Sequence, residues 1–274
     1  MIMPLTQPTL CQWAHRAYAR PSMETARFRS FGENLWYTEG TVRFYGVLIQ
    51  SRMAVSKLDG DALWVWSPLP MTEEIAGTLD DLGRVAHIVS PNKIHNQGLD
   101  SFHIRYPDAK LWASPGLRER RPELEYAGVL ADRPEAAWSA HVDQRLTAGN
   151  AFFSEAVFFH RASRTLIVAD LVENISRHTV PSRTGRRLAK LMRIYGRALP
   201  SPEFRMYTFD AEAARRKLDE INAWPFERIL LAHGDLITEN AHEVFQKVVD
   251  HLYWEVSKRP RFRRNIYEAM TRLQ

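Results

Sequence analysis

Apolar positions cluster in short runs through most of the chain and fall at helical spacing toward its end. Val42, Phe44, Tyr45, Val47, Leu48 and Ile49 crowd residues 40–50, and a further apolar run covers Met53 to Leu58. Asp59-Gly60-Asp61 then precedes Ala62 to Trp66, which predicts two strands joined by an Asp-Gly turn. Ser67-Pro68-Leu69-Pro70 ends that hairpin. Thr72 followed by Glu73 and Glu74 predicts a capped helix start, with Ile75, Leu79 and Leu82 on one face and Gly83 at its close. Short strands are expected at Arg84–Val89, Lys110–Ala113 and Val142–Leu146. A second hairpin pairs Glu155–Phe159 with Thr165–Ala169 over a turn at Arg161–Ser163. Helical spacing returns in Arg183–Arg197, Ala211–Asn222 and Glu239–Ser257, with a buried strand at Arg228–Ala232 and a last helix at Arg261–Leu273. Pro4, Pro8 and Pro21 break the first thirty residues. Residues 1–40 are therefore read as an irregular arm and residues 41–274 as one domain of layered α/β type.

Composition narrows the class. Apolar residues make up 45% and charged residues 25%, as in a globular chain with a packed core. The one cysteine, Cys11, excludes an internal disulfide and a four-thiolate zinc site. No apolar run approaches the roughly 18 residues of a membrane span. Met1 to Arg20 lacks a basic start followed by a long apolar core, so a secretory leader is not expected and a cytoplasmic location is. The net charge of +5 permits an anionic partner without requiring one.

Three segments place polar residues directly after a short apolar strand: Val89–Gly98, Leu166–Glu173 and Leu230–Asp235. Strand ends are where layered α/β proteins bind ligands. The side chains offered there are His95, Asp170, His233 and Asp235. Imidazole and carboxylate are the donors that zinc, iron and manganese take.

At these positions the chain resembles the metallo-β-lactamase fold superfamily, and more closely the bacterial DUF4336 family. Leu63-Trp64-Val65-Trp66-Ser67-Pro68, Asn92-Lys93-Ile94-His95, Tyr106-Pro107-Asp108-Ala109, Ser114-Pro115-Gly116-Leu117 and Ser163 to Leu171 carry the resemblance, over roughly residues 40–256. It implies a four-layer αββα sandwich. The superfamily's His-x-His-x-Asp-His-x-Gly motif, laid without gaps, falls on Pro91 to Gly98. Pro91 and Lys93 replace the first two histidines, His95 replaces the aspartate, and Asn96 replaces the last histidine. Thr147-Ala148-Gly149-Asn150 resembles the second motif, with Asn150 in the histidine's place. Asp170 matches the bridging aspartate and His233 the final histidine.

These departures remove one of the superfamily's two metal positions, because proline offers no donor and an ammonium repels a dication. His95, Asp170 and His233 are enough for a single zinc, iron or manganese ion with open positions. The resemblance then implies a mononuclear hydrolase. Asn96 and Asn150 are expected to hydrogen-bond water or substrate, and Lys93 to anchor a small anionic substrate or an oxyanion. Two other readings remain: a metal-free binding pocket, and a remnant in which Lys93 pairs with Asp170.

The remaining candidates have plainer explanations. His87 is expected to be packed inside a strand, His160 to lie at the surface, and Asp235 to cap the loop before the long helix. Ser154 has no nucleophile elbow around it, and Cys11 has no supporting pattern. Arg186, Lys190, Arg193 and Arg197 form a basic stripe on the expected helix 183–197, with a further basic run at Lys258–Arg264. That stripe makes nucleic-acid binding a third reading. The abundance of arginine throughout the chain favours an ordinary solvated face instead.

Overall fold

The computed structural model describes residues 27–44, 47–152, 154–180 and 183–259. The greater part of the expected arm, Cys11 and the helix expected at Arg261–Leu273 lie outside these residues, as does most of the basic run at Lys258–Arg264.

Two sheets form the middle of the molecule. The first has seven strands in chain order: β1 (Arg29–Gly32), β2 (Leu35–Phe44), β3 (Val47–Lys57), β4 (Ala62–Trp66), β5 (Arg84–Val89), β6 (Lys110–Ala113) and β7 (Gly128–Val129). Strands β1 to β4 are antiparallel, and β4 to β7 run parallel. The second sheet is ordered β11-β10-β9-β8, from β8 (Val142–Leu146), β9 (Ala156–His160), β10 (Thr165–Val168) and β11 (Arg228–Leu231). Its β8, β9 and β10 are antiparallel, and β10 pairs parallel with β11.

Alternation along the strands generates the layers. Trp64 and Trp66 of β4 face Phe158, Ile167 and Leu230 of the other sheet and fill the space between the two. Leu63 and Val65 point the other way. They pack on Ile75 and Leu79 of α1 (Glu73–Leu82), Leu99 and Phe102 of α2 (Leu99–Arg105) and Leu117 of α3 (Leu117–Arg120). On the far side, Leu166, Val168, Ile229 and Leu231 pack on Leu218 and Ile221 of α6 (Ala211–Asn222) and on Phe245, Val248 and Leu252 of α7 (Ala241–Ser257). The result is the expected αββα sandwich. The helices α4 (Arg183–Leu191) and α5 (Pro202–Tyr207) lie between β10 and β11 in sequence.

Local chemistry sets the element ends. Thr72 caps α1 by accepting the Ile75 N–H, and Ser201 and Asp210 do the same for α5 and α6. Gly60 takes a left-handed φ of 67° in the turn between β3 and β4.

Several expectations need correction. Residues 29–40, assigned from sequence to the arm, hold β1 and the first part of β2 and belong to the first sheet. Within the apolar run 40–50, Thr41 to Phe44 on β2 pair with Val47 to Gln50 on β3. Helix α4 stops at Leu191, and Arg193 adopts a left-handed φ of 59°, so Arg193 and Arg197 do not continue a helical basic stripe. His160 is buried rather than exposed, because it closes the β9–β10 turn with its Nδ1 2.7 Å from Ser163 Oγ. His87 is buried as expected, with Nδ1 accepting the Trp112 indole N–H.

Candidate metal centre

The three expected ligand positions meet at the ends of β5, β10 and β11. His95 follows β5 on a loop that the chain locks with its own short side chains. Asn92 Oδ1 accepts the N–H groups of Ile94 and His95, and the Ser90 hydroxyl lies against the carbonyls of Asn92 and His95. Asp170 follows β10 directly. His233 follows β11 in a turn pressed against Asn174, which forms an isolated bridge with Gly234. The His233 carbonyl accepts the Asn174 N–H, and a Cβ on Gly234 would lie 2.2 Å from the Asn174 carbonyl oxygen. The guanidinium of buried Arg52 donates to the carbonyls of Leu231 and Gly234 and pairs with Glu39, holding the same turn from β3.

One ligand atom from each of His95, Asp170 and His233 lies within 4.8 Å of the others, and all three residues are buried. His95 Nε2 is 3.4 Å from Asp170 Oδ2, His233 Nε2 is 3.8 Å from Asp170 Oδ1, and the two Nε2 atoms are 3.3 Å apart. The outer ring nitrogens are engaged elsewhere. His233 Nδ1 lies 2.6 Å from the Gln50 carbonyl oxygen, which only accepts, so that nitrogen carries the proton. His95 Nδ1 lies 2.8 Å from Ser67 Oγ. Ser67 leaves β4 with a left-handed φ of 51°, an uncommon conformation for a residue other than glycine. These partners point both Nε2 atoms inward, the arrangement in which imidazoles are held for a metal.

Burial tunes the charges. It pushes His233 down to about 4, with help from His95, so the ring is neutral at physiological pH. Burial also pushes the Asp170 carboxyl up. His95, His233 and the Asn92 amide, which donates to Oδ2 at 2.7 Å, outweigh that and hold it below the usual carboxylate range. Beside Asp170 sits Glu155, wholly buried. Its oxygens accept the backbone N–H groups of Ala169, Asp170 and Leu171 at 2.8, 2.7 and 3.0 Å. Burial and the neighbouring Asp170 push the Glu155 carboxyl upward.

The centre opens into a cavity of about 450 Å³, walled by apolar side chains including Val42, Ile49, Ile94, Leu188, Ala189 and Met192. Its charged or acidic lining beyond the histidines comes from Asp170, Glu173 and Glu203. Leu188, Ala189 and Gly185 of α4 lie on one face of that helix, toward the cavity, and its arginines and lysine lie on the other.

The three residues expected to act on water or substrate sit apart from this lining. Lys93 Nζ lies 4.3 Å from the centre of the Phe152 ring, and burial with nearby Arg120 lowers its pKa. It does not pair with Asp170; Asn92 makes that contact. Asn96 donates to the Lys93 carbonyl and accepts from Arg121. Asn150 donates to the Phe204 carbonyl and Thr208 Oγ1 and accepts the Phe152 N–H. Both amides thus tie loops together.

Residues 32–194, more than half of the chain, match the family described as a domain of unknown function, DUF4336. The chain belongs to the DUF4336 family. No curated protein is significantly similar to this DUF4336 chain in sequence. Its fold is similar to that of a metallo-beta-lactamase from Pontibacter korlensis, at 10% identity and a TM-score of 0.56 over 85% of this chain and 99% of that one. A metallo beta lactamase from Hirschia baltica matches at 10% identity and a TM-score of 0.56, over 85% and 98% of the two chains. The DIM-1 metallo-beta-lactamase matches at 11% identity and a TM-score of 0.58, over 82% and 97%. At these identities the likeness establishes the metallo-β-lactamase fold of this DUF4336 protein and nothing about its reaction. Among the described residues, no helix is long and apolar enough to cross a membrane.

Sequence reasoning missed the residues around the ligands. Ser67, Asn92, Arg52 and Glu155 have ordinary sequence surroundings, and their partners lie far away in the chain. Ser67 and Asn92 fall in segments that carry the family resemblance without standing out there, and Glu155 left a trace as a lone acid opening the apolar run Ala156–Phe159.

Proposed function

We propose that this chain is a mononuclear metal-dependent hydrolase acting on a small molecule, with His95, Asp170 and His233 as the metal ligands. The observation that carries this reading is the spacing of the donors. Zinc ligands at about 2.0–2.1 Å in a tetrahedron stand about 3.3–3.4 Å from one another. The edges from His95 Nε2 to His233 Nε2 and to Asp170 Oδ2 measure 3.3 and 3.4 Å, and the third, from His233 Nε2 to the Asp170 carboxylate, is longer at 3.8 Å. Two imidazoles and one carboxylate also match the donor preference of zinc, iron and manganese.

A divalent cation held there supplies a Lewis acid that makes water a nucleophile near neutral pH. The chain's own residues do the rest. Gln50 and Ser67 fix the two rings by their outer nitrogens. Asn92 fixes the Asp170 carboxylate. The apolar wall lowers the local dielectric and limits competing water. The cavity is of a size that suits a small organic molecule. The anionic substrate expected from Lys93 is not carried forward, because Lys93 lies outside the cavity lining.

A metal-free binding protein is the second reading. It is favoured by the filling of the ground beside Asp170, where Asn92 and Glu155 take up its carboxylate and backbone. The two readings separate in a panel of esters, thioesters, lactones, lactams and phosphodiesters offered to metal-supplemented protein. The hydrolase reading expects turnover of at least one member, lost in His95→Ala and His233→Ala. Turnover that survives replacement of both histidines contradicts it, and inertness toward the whole panel favours the metal-free reading.

A further inference from the structure

The cavity over the metal centre carries a second recognition element. Glu173 follows Asp170 by three residues and lines the cavity with it, and Glu203 joins from the first turn of α5. Glu173 is only 9% exposed, and its Oε2 has no hydrogen-bond partner among the described residues. A buried carboxylate oxygen left without a donor is costly, and natural structures rarely leave one without a reason. Its backbone is not free to move away, since Glu173 and Leu199 exchange both N–H···O bonds at 2.7 and 2.9 Å.

The cation nearest in effect does not supply the missing donor. Arg205 is turned to the carbonyls of Pro200 and Met192, at 3.2 and 2.8 Å, and to Glu255 at 3.4 Å. No lysine or arginine among the described residues lines the cavity. Two carboxyl groups that are not metal ligands therefore share an apolar chamber without a counter-charge. Burial and the nearby Asp170 push both of them upward, and Arg205 only partly offsets this.

We infer that the cavity selects an organic cation with an apolar body, its ammonium or amidinium group received by Glu173 and Glu203. The apolar wall takes the body of the molecule, and the two carboxyls take the N–H donors. The inference rests on the proposed metal centre only for where the reacting bond lies. Cation recognition itself needs nothing but these side chains.

The test is an NMR titration of the full chain with phenylbutylamine, phenylbutanol and phenylbutyrate, which share one apolar body and differ in charge. It is run with and without added zinc, with the bound zinc counted in each sample. The amine is expected to bind at least about tenfold more tightly than the alcohol, and the carboxylate most weakly. Glu173→Gln keeps the side-chain shape and is expected to remove most of the amine's advantage while leaving alcohol binding unchanged. Glu203→Gln, at a half-buried position, provides the same test where folding is less at risk. Equal binding of amine and alcohol, or an amine preference unchanged in both variants, overturns the inference. Amine preference without zinc uptake counts against the metal centre alone, and zinc uptake without amine preference counts against the cation site alone.

Discussion

His95 Nε2 and His233 Nε2 face each other at 3.3 Å across 138 residues of sequence. Neither ring is there by default. His233 donates its Nδ1–H to the Gln50 carbonyl, which leaves a lone pair on Nε2. Two converging imidazole edges need a proton or a cation between them. The Ser67 hydroxyl decides how well the His95 ring is aimed. Ser67→Ala is expected to weaken zinc affinity by about 10–100-fold with the fold intact. Competition against a chromophoric chelator measures it, and an unchanged affinity contradicts the positioning role.

Glu155 accepts three consecutive backbone N–H groups at the exit of β10, so it shapes the turn that presents Asp170. In Glu155→Gln the amide group must face at least one of these donors. The cost is about 1–3 kcal/mol. Urea unfolding should show a lower midpoint with an unchanged slope. A wild-type midpoint means the three bonds are replaceable.

Gly234 combines a φ of 104° with a backbone oxygen where its Cβ would stand. Gly60 has a φ of 67° and nothing within 4 Å of that point. Alanine at Gly60 pays only the left-handed strain, about 1–2 kcal/mol. Alanine at Gly234 must also displace the Asn174 carbonyl, so it should be distinctly more destabilising and should lower zinc uptake through His233. Equal losses of stability would mean that the turn moves without resistance.

Burial pushes His160 down to about 4 and His87 likewise. A histidine depressed in the folded state contributes stability above its unfolded pKa of about 6.5, and that stability is lost as the pH falls toward the folded value. Glu155 and Glu173, raised by burial, act in the opposite sense. The clean quantity is therefore a difference between two proteins. The stability gap between wild type and a non-titrating His160→Leu variant should shift by about 2–3 kcal/mol between pH 7.5 and 4.5, in the variant's favour at low pH. A gap independent of pH would show that His160 is solvated.

The layers were legible because strand period and apolar content agree. Leu63-Trp64-Val65-Trp66 is apolar on both faces, as a strand between a helix layer and a second sheet must be. His95, Asp170 and His233 were legible because each lies in the polar segment that follows such a run, Asp170 and His233 close to the strand end and His95 on the loop beyond β5. Lys93, Asn96 and Asn150 were named from motif alignment, which fixes a place along a loop but not the direction of a side chain. In the structure their polar groups serve Phe152, the Lys93 carbonyl and the Phe204 carbonyl instead. His160 looked exposed because it precedes a turn, yet the turn folds back over it through Ser163. The cavity acids escaped notice because Glu173 and Glu203 come together only when the chain returns through Leu199.

The most direct test of the account is the metal content of the purified protein after incubation with zinc, iron or manganese, measured by plasma mass spectrometry. About one equivalent is expected, lost in His95→Ala, Asp170→Ala and His233→Ala and retained in Lys93→Ala. No bound metal under any loading condition, or an equivalent that survives in His233→Ala, would contradict it.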